Sequence, residues 1–396
     1  MRAPSVLLFV CCVVLLGQQT PLDRAWALAA NGHQTEAVQT LYQLIATQPE
    51  NAEARLLLGS LLMEAGERDK SIEQLSAAVR LQPRSAQAQN ALGEAYSKFS
   101  DNDSARAAFE KAVALQLDFG IAQLNLGQLL LTANELALAA QHLDRAISLL
   151  GHTDDAAGAY YLRAKIDSAQ SHFREAAAHL EQAVSLRPQF AAAWSDLGQA
   201  RRAALDTKGA LDAFKKAVQA DPNDSIAQYR LGAEYLRQNQ PHLAVPYLEK
   251  AYQLDPSDQS TLYGLQMALR QDGRRDEAES LKQKLAELFR EKDQMNQNRL
   301  TAVRVNNAGA NLEKAGNLRA ALEKYREASQ LDPNHAGIRV NYAVALLRLG
   351  QWKEGLDQLH AAMLRDPGNA RIRAALKDAL AQAPRNQIPQ WGRDLQ

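Results

Sequence analysis

The run WSDLGQARRAALDTKGALDAFKKAVQADPND, residues 194–224, decides the fold, because its order of residue types returns along most of the chain. Trp194, Leu197 and Gly198 are followed by Ala210, Phe214, Ala217 and Pro222. Shifted forward by 34 residues, the pattern lands on Leu231, Gly232, Ala244, Ala251 and Pro256. Earlier copies hold Leu92, Gly93, Tyr96, Ala105, Phe109 and Ala112, and before them Leu58, Gly59, Gly66, Leu75, Ala78 and Pro83. Others run through Leu126, Gly127, Ala139 and Ala146, and through Gly309, Gly316, Ala321, Tyr325, Ala328 and Pro333.

Ten copies close at Pro49, Pro83, Leu117, Gly151, Pro188, Pro222, Pro256, Arg290, Pro333 and Pro367. Seven of the nine steps are 34 residues; the step after Gly151 is 37 and the step after Arg290 is 43, so extra residues enter at those two places. In the quoted copy apolar residues return every three or four positions, which predicts helices over 192–204 and 207–220. Gly198 and Ala210 carry almost no side chain and let the two helices approach, while Trp194, Leu197 and Phe214 fill the space around them. Asp221-Pro222 ends the second helix, since proline lacks the backbone donor and does not fit the helical path. Asn223 and Asp224 suit the turn and the next N-cap. One helix pair cannot bury its own apolar stripe, so each copy depends on its neighbours.

A 34-residue period with W-x2-L-G, a later A-x3-F and a closing proline resembles the tetratricopeptide repeat family over roughly residues 21–370. The resemblance implies an all-α, right-handed superhelical solenoid of tandem antiparallel helix pairs. It also implies protein-protein scaffolding, with a peptide or partner protein held in the concave groove formed by the first helix of each unit. The position after Trp194, Ser195, is expected to face that groove, as are its periodic equivalents Tyr161, Tyr229 and Tyr263. Tyrosine offers a large apolar area with a polar tip at low entropic cost. Arg202 and Arg270 share one place near the end of the first helix, with Arg237 one residue out of step, and are suited to carboxylates. The alternative is that the tyrosines pack between units and the arginines lie over apolar surface. Earlier units place Asn90, Glu94, Leu124 and Gln128 at the groove. Some members clamp a C-terminal carboxylate with a set of Lys, Asn and Arg. Here Asn90 with Asn125, and Asn307 with Asn341, lack the accompanying lysines, so no chaperone partner is expected.

The expected organisation is a signal peptide over 1–20, units one to eight over 21–290 and units nine and ten over 291–369. A capping helix over 370–383, with Arg371, Arg373, Lys377 and Asp378 outward, precedes a flexible tail over 384–396. SVLLFVCCVVLLG follows the single cation Arg2; an apolar run of about a dozen residues is too short for a span of about 20 and suits a leader. An uncleaved anchor is the rival reading, and it confines membrane contact to residues 1–20. A lipoprotein reading through Cys11 fails because Val10 is bulky where that signal has a small residue. Cys11 and Cys12 are the only cysteines, and a cysteine-free mature chain is compatible with an oxidising compartment. Export to the periplasm or medium of a bacterium is the expectation.

With 45 basic and 45 acidic residues, nothing argues for a nucleic-acid surface. No H-E-x-x-H, G-x-x-x-x-G-K-S/T or G-x-S-x-G motif is present. His172 and His179 stand seven apart with no third ligand at suitable spacing, so neither a metal nor another cofactor is expected. Asp154 and Asp155 fall in the insertion and read as helix N-capping. Between Arg274 and Arg304 the eighth unit's second helix is expected to extend, with Leu281, Leu285 and Leu288 along one face as ordinary packing, a seam with another chain, or a divider between two arrays over 21–290 and 291–383. The expected function is a non-catalytic scaffold. The alternatives are an accessory subunit that delivers substrate to an envelope enzyme or secretion machine, and a repeat-fused enzyme. The latter lacks the roughly 100 non-repeat residues a catalytic domain needs.

Overall fold

The computed structural model describes residues 20–393, and helix pairs follow the period of the sequence through units one to seven. Units one to seven are the pairs α1 (Pro21–Ala30) and α2 (Gln34–Thr47), α3 (Ala52–Glu64) and α4 (Arg68–Leu81), α5 (Ala86–Lys98) and α6 (Asn102–Leu115), α7 (Gly120–Thr132) and α8 (Leu136–Leu150), α9 (Asp154–Ala169) and α10 (Phe173–Leu186), α11 (Ala191–Ala203) and α12 (Thr207–Ala220), and α13 (Ser225–Arg237) and α14 (Pro241–Leu254). Among the described residues there is no strand. The leader assigned to residues 1–20 lies outside them except for Thr20, whose side chain caps α1 in a reciprocal capping box with Asp23.

The reason for the recurring glycine is visible inside the pairs that carry it. A Cβ built at Gly198 would stand 2.4 Å from Phe214 Cε1, so the close neighbour is Phe214 on α12. Gly93 meets Phe109 at 2.6 Å and Gly59 meets Leu75 at 2.5 Å in the same way. A residue without a side chain lets these buried rings and leucines of the second helix seat against the first helix's backbone. Between units, Asp224 accepts from the Ile226 and Ala227 amides as the N-cap of α13, as its residue type suggests. The 37-residue step is absorbed by helix: Gly151 turns with φ +60°, Thr153 caps α9 and Asp154 and Asp155 occupy its first turn, making α9 16 residues long against 13 for α11.

The first helices of successive units also touch one another, as α3 does α5, α5 does α7, α7 does α9 and α11 does α13; among the described residues no two second helices pack as closely. The first helices up to Leu254 therefore stand on the tighter, inner side of the stack.

The chain forms two compact bodies, one ending at Leu254 and the other beginning at Asp255. The second holds α15 (Gln259–Gln271), α16 (Arg275–Lys314), α17 (Leu318–Leu331), α18 (Ala336–Arg348), α19 (Trp352–Arg365) and α20 (Ala370–Gln382). The boundary expected between residues 290 and 291 is corrected here, because it falls inside the uninterrupted 40-residue α16. Arg290 stands where most other units have the closing proline, and no glycine or proline occurs between Gly273 and Gly309 to stop the helix. One helix thus serves as the second of unit eight and the first of unit nine. Between Ala278 and Ala302 it has no buried residue; Leu281, Leu285 and Leu288 are half-buried, and Met295 and Leu300 are exposed.

A second correction concerns the expected flexible tail. Residues 385–387 form a 3₁₀ turn and α21 (Gln390–Arg393) follows. Ile388 is buried with Leu376, Ala379 and Leu380 of α20. The Trp391 ring stacks on His360 with centroids 4.0 Å apart, and its Nε1 donates to Asp357 Oδ1 at 2.9 Å. The two apolar residues after Pro384 thus cover the face that α20 would otherwise leave bare.

Candidate protein-binding groove

A rule of register governs the inner face. Tyr161 Oη on α9 donates to Asp196 Oδ2 on α11 at 3.1 Å, and Arg230 on α13 donates to Ser195 Oγ at 2.7 Å. Asn125 on α7 donates to Asn90 Oδ1 on α5 at 3.0 Å. In the second body Asn341 donates to Asn306 Oδ1 at 2.9 Å. Each pair is 35 residues apart, one more than the repeat, so the position after Trp194 in one unit meets the next position along in the following unit.

These contacts connect into two clusters. Arg230 Nη1 also donates to Asp196 Oδ1 at 2.8 Å, so Tyr161, Asp196, Arg230 and Ser195 form one network across three first helices. Burial first, then the Asp196 charge, pushes the Tyr161 hydroxyl up to about 12. In the second cluster Glu94 Oε1 accepts from Asn125 at 2.8 Å and from Asn90 at 3.0 Å. Burial raises the Glu94 carboxyl above its ordinary range, the Asn125 and Asn90 amides oppose this, and Asp155 adds to it.

The residues singled out from sequence divide accordingly. Asn90 and Ser195 are buried, and Tyr161 and Glu94 are half-buried and hydrogen-bonded, so these four tie units together. Leu124 is half-buried against the apolar cluster of Leu126, Leu129 and Leu130. Arg237 is exposed and ion-paired to Glu234, a carboxylate only 1 % exposed. Tyr229 and Arg202 are half-buried and Gln128 is exposed. Tyr263 and Arg270 are exposed on the second body. Asn341 pairs with Asn306, where the sequence reading had placed Asn307. Asp196, Arg230 and Glu234 were missed. The signal for the first two was available, since Asp196 and Arg230 are opposite charges one period apart beside Ser195 and Tyr229.

Of the histidines, His179 Nδ1 lies 2.7 Å from Oδ2 of the buried Asp167, whose other oxygen is held by Arg163, so this imidazole fastens α10 to α9. Among the described residues no group of three His, Cys, Asp or Glu side chains has metal-binding geometry. Nor is any described helix long and apolar enough to cross a membrane.

Models of the tetratricopeptide repeat match residues 28–95 and 312–379, 90–159 and 161–225, and 226–258. Subunit CDC16 of the anaphase-promoting complex of Saccharomyces cerevisiae is 24% identical over 251 residues, a match covering 62% of this chain and 28% of the yeast protein. The chain therefore spans less than a third of that relative. Among solved structures, PilF of Pseudomonas aeruginosa superposes with a TM-score of 0.49 at 16% identity, covering 54% of this chain and 96% of PilF. MamA gives 0.39 at 22% identity, covering 42% and 95%. A tetratricopeptide repeat protein of Parabacteroides merdae gives 0.46 at 13% identity, covering 64% and 100%. At these identities the likeness concerns the fold alone.

Proposed function

Because the chain belongs to the tetratricopeptide repeat family, we propose that it is a non-catalytic scaffold that holds a segment of a partner protein along the inner faces of α9, α11 and α13. The observation that carries this reading is the state of Tyr229 and Arg202. Both remain half-buried on that face with no hydrogen bond or ion pair, while the neighbouring Tyr161 and Arg230 are consumed by contacts between units. A ring with a free hydroxyl beside a free guanidinium offers apolar area and directional donors together, the combination that dominates protein interfaces. The yeast relative is named as a subunit of a complex, which supports membership of an assembly.

Site-specific photocrosslinking tests this. Benzoylphenylalanine placed at Tyr229 should give an adduct with a partner in extracts of the source cells, and the same group at exposed Gln219 on α12 should not. Adducts at both positions, or at neither, would remove the groove from the account.

We further propose that residues 1–20 direct export, so that the scaffold works outside the cytoplasm. Support comes from the short apolar run behind Arg2 and the absence of cysteine after Cys12. Mass spectrometry of the chain from fractionated cells would show a new N-terminus near Thr20 in the exported fraction; an intact leader in the cytosol would refute it.

A further inference from the structure

The middle of α16 carries an apolar stripe that its own neighbours leave uncovered. α15 packs on α16, and Ala278 is buried near the start of the long helix. Near its end Ala302 is buried with Ala328 of α17 and Ile338 of α18. Between those two alanines α16 has no buried residue. A helix in a folded protein owes most of its stability to packing of one apolar face, and this stretch has the face without the packing.

The face follows a heptad repeat. With Ala278 at position a, Leu285, Lys292 and Arg299 follow at a, while Leu281, Leu288 and Met295 fall at d, so the pattern runs for about three and a half heptads up to Ala302. Phe289 widens the stripe at position e. It is 49 % exposed and Met295 62 % exposed, whereas Leu281, Leu285 and Leu288 are half-buried.

The charges along this stripe decide what can cover it. Two copies of α16 running parallel and in register would set Lys292 against Lys292 and Arg299 against Arg299. In antiparallel pairing a positions face d positions instead. One antiparallel register sets Leu285 against Leu288 and Lys292 against Leu281, which the lysine's aliphatic stem can cover while its ammonium stays in water. In the same register the g positions bring Lys284 opposite Glu291, twice, once on each side of the two-fold axis. A slip of one heptad in either direction sets Lys284 against Lys284 or Glu291 against Glu291. Of these arrangements only the first pairs leucine with leucine and opposite charges together.

We infer that the middle of α16 is a self-association seam that takes the same stretch of a second copy of this chain, antiparallel, with Leu285 on Leu288 and Lys284 beside Glu291. The contact is isologous and closes at two copies. It is independent of the groove described above. Two joined scaffolds present two grooves, and so hold a partner that carries two binding segments more tightly than one scaffold does.

Sedimentation equilibrium of the full chain over a series of concentrations tests the seam. The parent should dimerise reversibly, and Leu285→Lys should stay monomeric. Lys284→Glu or Glu291→Lys alone replaces two attractions with two repulsions and should weaken the dimer about 10-fold or more. Combining the two substitutions in one chain should restore the parent's affinity. An equimolar mixture of the single variants should associate more tightly than either variant by itself, which chains that had failed to fold could not do. A parent that is monomeric at every concentration overturns the inference. So does a dimer insensitive to Leu285→Lys, or a double variant that associates no better than the single ones.

Discussion

A single methyl group at Gly198 tests the reason given for the repeat's most regular feature. The added Cβ would lie 2.4, 2.5 and 2.8 Å from three ring carbons of Phe214, against about 3.5–4.0 Å for carbon atoms at rest. The ring is 1 % exposed, so it cannot swing into solvent and must move about 1 Å into packed neighbours. Overpacking of this kind costs about 1–3 kcal/mol. Alanine's better helix propensity returns about 1 kcal/mol, so Gly198→Ala should lose about 0–2 kcal/mol net. Phe214→Ala alone should lose about 3–5 kcal/mol. In that background the clash is absent, and Gly198→Ala should instead gain about 1 kcal/mol. The double-mutant cycle therefore carries a favourable coupling of about 1–3 kcal/mol. Because a repeat array need not unfold in two states, the free energies should be read from native-state amide exchange of α11 and α12. Effects that add within about 0.5 kcal/mol would refute the seam as described.

Four further outcomes are expected. Glu94 holds its proton more tightly folded than unfolded, so stability should fall as pH rises from 4.5 through the raised folded value and stay lower above it; Glu94→Gln should flatten that fall in urea midpoints measured across the range. Leu205 is exposed and adopts φ +68°. Leu205→Gly should relieve about 1–2 kcal/mol of left-handed strain against about 0.5–1 kcal/mol of added chain entropy, a small net gain in protection of the α11–α12 turn; a loss there would show the leucine to be packed. Trp391→Ala removes the stack on His360 and the bond to Asp357, and should lower protection of α20 by about 1–3 kcal/mol in amide exchange; unchanged exchange would return the segment to the status of a loose tail. Finally, in the dilute monomer the middle of α16, lacking buried residues from Glu279 to Thr301, should exchange faster than its end over 302–314, the reverse of ordinary end fraying. Uniform protection along α16 at that dilution would mean that its apolar stripe is covered within the chain.

The repeat itself was legible because burial imposes it. Most units place a glycine opposite a large residue, as Gly198 is opposite Phe214, and small alanines where neighbours approach, as Ala210 and Ala217 show. Such requirements recur at a fixed period and can be read without any structure. Departures were harder to read. Losing the proline at Arg290 signalled a longer helix, yet that a single helix would run on into the next unit depends on the absence of every other breaker up to Gly309. Residues 384–393 were misread because a docking segment of one 3₁₀ turn and one short helix has no periodicity; Ile388 and Trp391 were its only apolar marks.

The inner face was legible only as a set of positions, because the role of each side chain is fixed by the residue it meets 35 positions away. Ser195 is short enough to admit the Arg230 side chain, which then reaches Asp196 and closes a network with Tyr161. A tyrosine that looked available for a ligand is thereby spent on holding the stack. Seven residues beyond Ser195 on α11, Arg202 has as its charged neighbours Arg237, Glu234, which is ion-paired to Arg237, and Arg230, which is bonded to Asp196. Two arginines on neighbouring first helices thus differ: Arg230 is neutralised within the fold, and Arg202 is not. In an array whose units all obey one packing rule, the binding residues are to be sought where the inter-unit ladder leaves a charge or a hydrogen bond unanswered.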